Sequence, residues 1–96
     1  MTVNLTVILR SKENSIEKLK EMLENLVANS MLETGCLQYD LHQDVQDANT
    51  FIFHEVWENK EALEAHNAQE YVTQFFAIAP DLLREKASII FTNKLA

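Results

Sequence analysis

The amino-acid sequence predicts an α+β domain of the ferredoxin-like class, a split βαβ arrangement with a four-stranded antiparallel sheet. The first observation is the order of segments with period-two and helical periodicity: strand, helix, strand, strand, helix, strand. The second is that residues which break helices and strands are scarce: the 96 residues contain one glycine and one proline. The sequence also shows no repeat, linker or low-complexity segment. We therefore expect a single domain over residues 1–96.

The N-terminal third predicts one strand and one helix. Residues 3–9 alternate and are rich in β-branched side chains, which favours a strand. Asn14 and Glu17 have the spacing of a helix N-cap, and the helix is expected to end at about Ser30. Its apolar stripe consists of Ile16, Leu19, Leu23, Leu26 and Val27.

Two strands joined by a turn at residues 46–49 form the next unit. Gly35 is expected to begin the first of these strands with a positive φ, which other residues avoid. We predict the register in which odd-numbered residues of the two strands face each other. That register gathers the larger side chains on one face, namely Leu37, Tyr39, Leu41, Phe51, Phe53, Glu55 and Trp57.

The C-terminal part predicts a second helical segment and a last strand. Asn59 is expected to cap a helix that starts near Lys60 and presents Ala62, Leu63 and His66 on one side. Helical spacing continues through Tyr71, Phe75, Phe76 and Ile78. Pro80 is expected to interrupt it, and residues 88–92 form the strand.

Charge and cysteine content exclude several classes of protein. The formal net charge is −7 and the eight Lys and Arg residues are scattered, which argues against nucleic acid and anionic membranes as partners. Cys36 is the only cysteine, so no internal disulfide can form and a reduced thiol is expected. The first residues lack the basic region of a signal peptide, and no apolar run could span a membrane. A cytoplasmic location is the expectation.

The second face of the predicted sheet also carries apolar side chains. Ile8, Ile52 and Val56 lie on it, together with either Ile90 or its neighbours Ile89 and Phe91. A monomer seldom leaves such a face in water, because each of these side chains contributes about 1.5–3 kcal/mol when buried. We therefore expect a homodimer through this face of the sheet.

No motif for a metal, nucleotide or flavin is present. The sequence lacks a Cys-x-x-Cys pair, a His-Glu-x-x-His helix and a glycine-rich phosphate loop. His42, His54 and His66 lie on two predicted strands and a helix, without the spacing of metal ligands. Neither a cofactor nor a metal site is expected.

Three stretches carry a resemblance to a known family: Gly35–Tyr39, Phe53–Trp57 and Leu63–His66. Their order of glycine, tyrosine, glutamate, tryptophan and helical histidine resembles the antibiotic biosynthesis monooxygenase family, particularly its small quinol-monooxygenase-like branch. The resemblance extends over nearly the whole chain. It implies a dimeric α/β-barrel assembly through the sheet. It also implies a cofactor-independent reaction, in which a deprotonated phenol or quinol passes an electron directly to O2.

The resemblance and the chemistry of the side chains together suggest catalytic residues. His66 is the candidate base, because an imidazole can accept a phenolic proton near neutral pH; the alternative is a histidine that only fills the core. Glu55 is costly to bury unpaired, so pairing with His66 is one expectation. Tyr39 could hold a substrate oxygen or merely pack in the core. The candidate substrate-binding residues are Phe53, Trp57, Tyr71, Phe75 and Phe76, which could wall a flat aromatic ligand or form plain core.

Two departures from family patterns narrow the expected activity. Haem-degrading relatives carry an asparagine, a tryptophan and a histidine where this chain has Val7, His66 and Phe76, which disfavours haem degradation. The quinol-oxidising branch often has a Ser-Pro-His step where this chain has Gln69-Glu70-Tyr71. The expected activity is cofactor-independent oxidation of a small aromatic quinol or phenol by O2. Isomerisation of a small hydroxycarbonyl signal compound and non-catalytic binding of a hydrophobic metabolite remain as alternatives.

Overall fold

The computed structural model describes residues 1–96 and contains one sheet with three helices. The strands are β1 (Val3–Arg10), β2 (Cys36–Gln43), β3 (Thr50–Trp57) and β4 (Ser88–Thr92). The helices are α1 (Ile16–Ser30), preceded by a 3-10 turn at Glu13–Ser15, α2 (Lys60–Asn67) and α3 (Glu70–Leu82). The strand order is β2-β3-β1-β4 and every neighbouring pair is antiparallel, which confirms the predicted ferredoxin-like α+β fold. None of the helices has the length and apolarity that crossing a membrane requires.

The register of the central hairpin is the predicted one, apart from one bulge. Tyr39 lies opposite Glu55 and Leu41 opposite Phe53, so odd-numbered residues face each other. A bulge between Cys36 and Gln38 inserts Leu37 as an extra residue. The prediction that Leu37 shares a face with Tyr39 and Leu41 is wrong, since the bulge breaks the alternation and Cys36 takes the place opposite Trp57. Leu37 is 54% exposed.

The core lies between one face of the sheet and the helices. The odd-numbered residues of β1 and β3 supply its sheet side, and the helices cover it with the predicted stripe of α1 and with one side of α3. The largest fully buried side chains include Trp57, Phe51, Leu9, Leu19 and Leu23. The sheet therefore has one face committed to the interior and one face without a helical layer.

Three predictions about helix boundaries have different outcomes. Asn59 caps α2, because its Oδ1 accepts a hydrogen bond from the backbone N–H of Ala62 at 2.8 Å. Asn14 caps nothing, since it lies in the 3-10 turn, and Ser15 precedes α1 without a side-chain cap. Pro80 does not interrupt α3, which continues to Leu82. Pro80 has no N–H to donate to the carbonyl of Phe76, so the last turn lacks one hydrogen bond but keeps its helical backbone.

The second sheet face is now defined by strand pairing. Ile8 lies opposite Ile52, and Thr6 lies between His54 and Ile90. Ile90 therefore belongs to this face, whereas its neighbours Ile89 and Phe91 pair with Val7 and Leu5 on the core side. We call the side chains of Ile8, Ile52, Val56 and Ile90 the outer face.

Gly35 is required for close packing and not for an unusual backbone. Its φ is not positive, so that expectation is wrong. A Cβ at Gly35 would lie 2.4 Å from the Cβ of Ala62 in α2. The Gly35 carbonyl also accepts a hydrogen bond from the N–H of Glu58 at 2.8 Å, which fixes the start of β2 against the end of β3. Only glycine lets α2 approach this closely.

Gly35→Ala is accordingly expected to lower the free energy of unfolding by about 1–3 kcal/mol, because the added methyl group overpacks the contact with Ala62. Chemical denaturation of both proteins measures the difference. Ala62→Gly in the same background removes the clash and should restore much of the loss. A Gly35→Ala protein as stable as the wild type would contradict the packing argument.

Candidate functional site

A small cavity lies between the core side of the sheet and helices α2 and α3. Its volume is ≈ 130 Å³, and 12 of its 15 lining residues are hydrophobic, so a ligand inside would be largely out of water. Among the few polar lining residues are Glu55 on β3 and His66 on α2. The cavity opens beside Phe76, Ile89 and Phe91, whose side chains are partly exposed.

One nitrogen of the His66 imidazole contacts the carboxylate of Glu33. Its Nδ1 lies 2.7 Å from Oε2 of Glu33, and the imidazole is only 3% exposed. The hydroxyl of Tyr71 donates to the same Glu33 oxygen, and Oγ of the fully buried Ser30 lies 3.2 Å from that hydroxyl. Because a carboxylate can only accept, Nδ1 carries the shared proton, and in the neutral imidazole Nε2 has the free lone pair. We call Ser30, Glu33, His66 and Tyr71 the polar cluster.

The polar cluster corrects the expected pairing of His66 with Glu55. The Oε1 atom of Glu55 instead accepts a hydrogen bond from Nε1 of Trp57 at 2.9 Å. Trp57 is two residues along the same strand, so both side chains point to the same face and can meet without help from α2. Burial raises the pKa of Glu55 to about 7, and the hydrogen bond from Trp57 opposes that rise. Glu55 therefore changes its protonation state near neutral pH.

Aromatic rings surround the imidazole. The ring centroids of His66 and Trp57 are 4.4 Å apart, and those of His66 and Tyr39 are 5.6 Å apart. Tyr39 also packs against Phe53 at 4.8 Å. Burial, and next the charge of Glu55, raise the pKa of the Tyr39 hydroxyl well above its usual range. Tyr39 thus stays protonated, and its hydroxyl lies within reach of Ser30.

The sequence-predicted site residues divide into two groups. Six of them line the cavity: Tyr39, Phe53, Glu55, His66, Phe75 and Phe76. Trp57 does not, because it is completely buried against His66 and Glu55. Tyr71 lies outside the cavity as well, where burial and the hydrogen bond to Glu33 raise the pKa of its hydroxyl.

Two members of the polar cluster, Ser30 and Glu33, were not predicted from the sequence. Ser30 is the last residue of α1, and Glu33 follows in the short connection to β2. Ser30 continues the buried stripe of α1 four residues after Leu26, but a serine at the end of a helix does not by itself indicate a polar partner. Glu33 lies in no regular element, so no periodicity indicates its position. The other two histidines, His42 and His54, lie on the outer face of the sheet with ring centroids 5.4 Å apart. No three His, Cys, Asp or Glu side chains converge as a metal-binding group.

Comparison with known proteins gives the family. Residues 3–78 match the sequence model of the family described as antibiotic biosynthesis monooxygenase. The chain belongs to this family. It is 30% identical over 89 residues to the Bacillus subtilis protein named "Putative monooxygenase YcnE", covering 93% of this chain and 94% of that protein. It is also 32% identical over 81 residues, 84% of the chain, to the uncharacterized protein sll1783 of Synechocystis, and spans 55% of that protein's length.

Solved structures agree with this antibiotic biosynthesis monooxygenase assignment. The crystal structure of PA3566 from Pseudomonas aeruginosa superposes with a TM-score of 0.93 at 36% identity. The match covers 99% of this chain and 95% of the PA3566 chain. A crystal structure described as an antibiotic biosynthesis monooxygenase has a TM-score of 0.91 at 25% identity and covers 100% of both chains. The resemblance inferred from the sequence is confirmed at the level of the family.

The protonation of Glu55 predicts a pH dependence of stability. Its folded-state pKa of about 7 exceeds the ordinary value of 4.5, so the folded protein binds a proton more tightly than the unfolded chain. The contribution to stability is complete below pH 4.5 and is lost as the pH rises through about 7. Glu55→Gln, which keeps an acceptor for Trp57, should remove this dependence.

Denaturation of both proteins at pH 5 and pH 8 tests the prediction. Between pH 5 and pH 8 the free energy of unfolding of the wild type should fall by roughly 2–3 kcal/mol relative to that of Glu55→Gln. Comparing the two proteins cancels the titration of all other groups. Parallel pH profiles would mean that Glu55 is ionised throughout.

Proposed function

We propose that this protein is a cofactor-independent monooxygenase that oxidises a small aromatic quinol or phenol with O2. The observation that carries the proposal is a buried imidazole at the wall of an apolar cavity, with its Nδ1 hydrogen bonded to the partly buried carboxylate of Glu33. Membership of the monooxygenase family supports it. The name of the Bacillus subtilis relative agrees with oxygen chemistry and gives no substrate.

The first step is proton transfer from the substrate. Nε2 of His66 accepts the proton of a phenolic O–H, which leaves a phenolate in the cavity and an imidazolium at His66. Glu33 faces the Nδ1 side of that imidazolium and stabilises its charge, while Tyr71 holds Glu33 in place. Tyr39, which stays protonated, is available to donate to the phenolate oxygen.

The second step is the reaction with oxygen. The phenolate passes one electron to O2, and the resulting superoxide combines with the ring radical to form a carbon–oxygen bond. Loss of water then leaves one oxygen atom on the ring as a carbonyl and the other in the water released. A phenol and O2 thus give a quinone and water, with the substrate as the only source of electrons. The apolar walls keep bulk water from the intermediate.

A second candidate function is isomerisation of a small hydroxycarbonyl compound. It is favoured by Glu55, which is close to half-protonated near pH 7 and lines the same cavity as His66. Two groups that exchange protons near neutral pH could remove a proton from one carbon and return it to another. Oxygen uptake distinguishes the candidates, since only the monooxygenase consumes O2. A non-catalytic binding module would bind such compounds without turnover.

The same proposal includes a homodimer through the outer face. Ile8, Ile52, Val56 and Ile90 form an apolar surface on the side of the sheet that no helix covers. Pairing with a second copy would remove these side chains from water. The site lies on the opposite side of the sheet, so the cavity stays open in such a dimer.

The role of His66 can be tested by substitution. His66→Ala should lower turnover of a hydroquinone roughly 100-fold or more, because the base is lost. His66→Gln should fail nearly as badly, since an amide can hydrogen bond with Glu33 but cannot accept the proton. Oxygen uptake is measured after dialysis against a chelator, together with thermal unfolding.

The two His66 substitutions have a control variant and a result that would contradict the proposed base. His42→Ala removes an imidazole from the other side of the sheet and should leave turnover unchanged. A histidine that only fills the core predicts the opposite order, with His66→Gln active and His66→Ala unstable. Full turnover in a well-folded His66→Ala protein would eliminate the proposed base.

The dimer is tested at Val56. Val56→Asp places a charge within the proposed interface and should shift the protein from dimer to monomer at micromolar concentration in analytical ultracentrifugation. Val45→Asp, at a fully exposed position outside the outer face, is the matched control and should remain dimeric. A wild-type protein that sediments as a monomer would overturn this assignment.

A further inference from the structure

The cavity is close in size to a single aromatic ring. Its volume is ≈ 130 Å³. An engineered protein cavity of about 150 Å³ takes up benzene, so a second fused ring would not fit here. Any larger substituent must leave through the opening, where Phe76, Ile89 and Phe91 are 44%, 52% and 63% exposed.

A larger groove begins at that opening. It runs between the end of α3 and the segment that enters β4 and has a volume of ≈ 510 Å³. Its apolar lining consists of Phe76, Ala79, Pro80, Leu83, Ala87 and Ile89. Phe76 and Ile89 also line the cavity, so these two side chains form the boundary between the two spaces.

We propose that the substrate is a single-ring phenol or quinol with an unbranched or isoprenoid-type aliphatic tail. The ring occupies the cavity, and the tail passes between Phe76 and Ile89 into the groove. This inference rests on the proposed function for the ring and adds the chemistry of its substituent. The groove favours an aliphatic chain because its walls are apolar, and its two charged residues, Glu85 and Lys86, are of opposite sign.

The position of the groove supports a ligand tail as its occupant. It lies on the core side of the sheet, because Ile89 pairs with Val7 and not with the outer face. The proposed dimer contact at Ile8 and Ile52 is on the other side. The groove adjoins the cavity at Phe76 and Ile89, which line both spaces, and this is the reason to prefer the tail over a second protein chain.

Binding measured without oxygen tests the proposal independently of catalysis, because no turnover can occur in the absence of O2. Calorimetric titrations with phenol, 4-ethylphenol, 4-butylphenol and 2-naphthol compare the affinity gained from an aliphatic tail with that gained from a second ring. Each methylene buried in the groove should tighten binding roughly threefold, so 4-butylphenol should bind on the order of 50-fold more tightly than phenol. 2-Naphthol, which extends the ring instead of the tail, should bind more weakly than 4-butylphenol.

Two variants localise the effect. Ala87→Phe fills the groove and should abolish the gain from the tail while phenol still binds. Ala77→Phe makes the same change at an exposed position of α3 outside the groove and should keep the gain. If Ala87→Phe does not fold, Pro80→Glu, at an exposed position, places a charge in the groove instead.

The outcomes separate this inference from the proposed function. Equal binding of phenol and 4-butylphenol, or a gain that survives Ala87→Phe, would overturn the tail site. So would a change from dimer to monomer in Ala87→Phe, since the groove would then belong to a second copy. A tail-dependent gain that Ala87→Phe abolishes, without any uptake of O2, would sustain the tail site and reject the monooxygenase.

Discussion

The contact between Glu33 and His66 is the interaction on which the architecture of the site depends. It joins the connection after α1 to the end of α2, and Tyr71 extends it to α3. A partly buried carboxylate loses hydration, and Glu33 offsets that loss by accepting hydrogen bonds from an imidazole and from a phenol. The same contact fixes which imidazole nitrogen carries the proton. Structural stability and the availability of Nε2 therefore depend on one pair of side chains.

Strand β3 divides the molecule into two functional sides. Its odd-numbered residues Phe53, Glu55 and Trp57 face the helices and build the cavity and its support. Its even-numbered residues Ile52 and Val56 face away and belong to the outer face. Because side chains alternate along a strand, the proposed active site and the proposed dimer contact can use opposite faces of the same eight residues without conflict.

Polar groups in a mostly apolar cavity acquire properties that they lack in water. Glu55 is a carboxyl group that titrates near pH 7, and Tyr39 is a phenol held in its neutral form. Both effects have burial as their largest cause, since a charged form loses more hydration than a neutral one. The packing that excludes water from the cavity is thus also what shifts the pKa values of these two side chains.

The sequence by itself determined the order of elements, the pairing register of Tyr39 with Glu55, the cap at Asn59 and the candidate base His66. Each of these follows from local periodicity or from the chemistry of one side chain, which distant parts of the chain do not alter. Only the tertiary structure decided that Glu33 backs His66, that Trp57 binds Glu55 and that Leu37 points outward. The physical reason is that Glu33 lies 33 residues from His66 and in no regular element, so no repeat in the sequence records their contact. The need for Gly35 is of the same kind, because it arises from the approach of Ala62 and not from the backbone at Gly35.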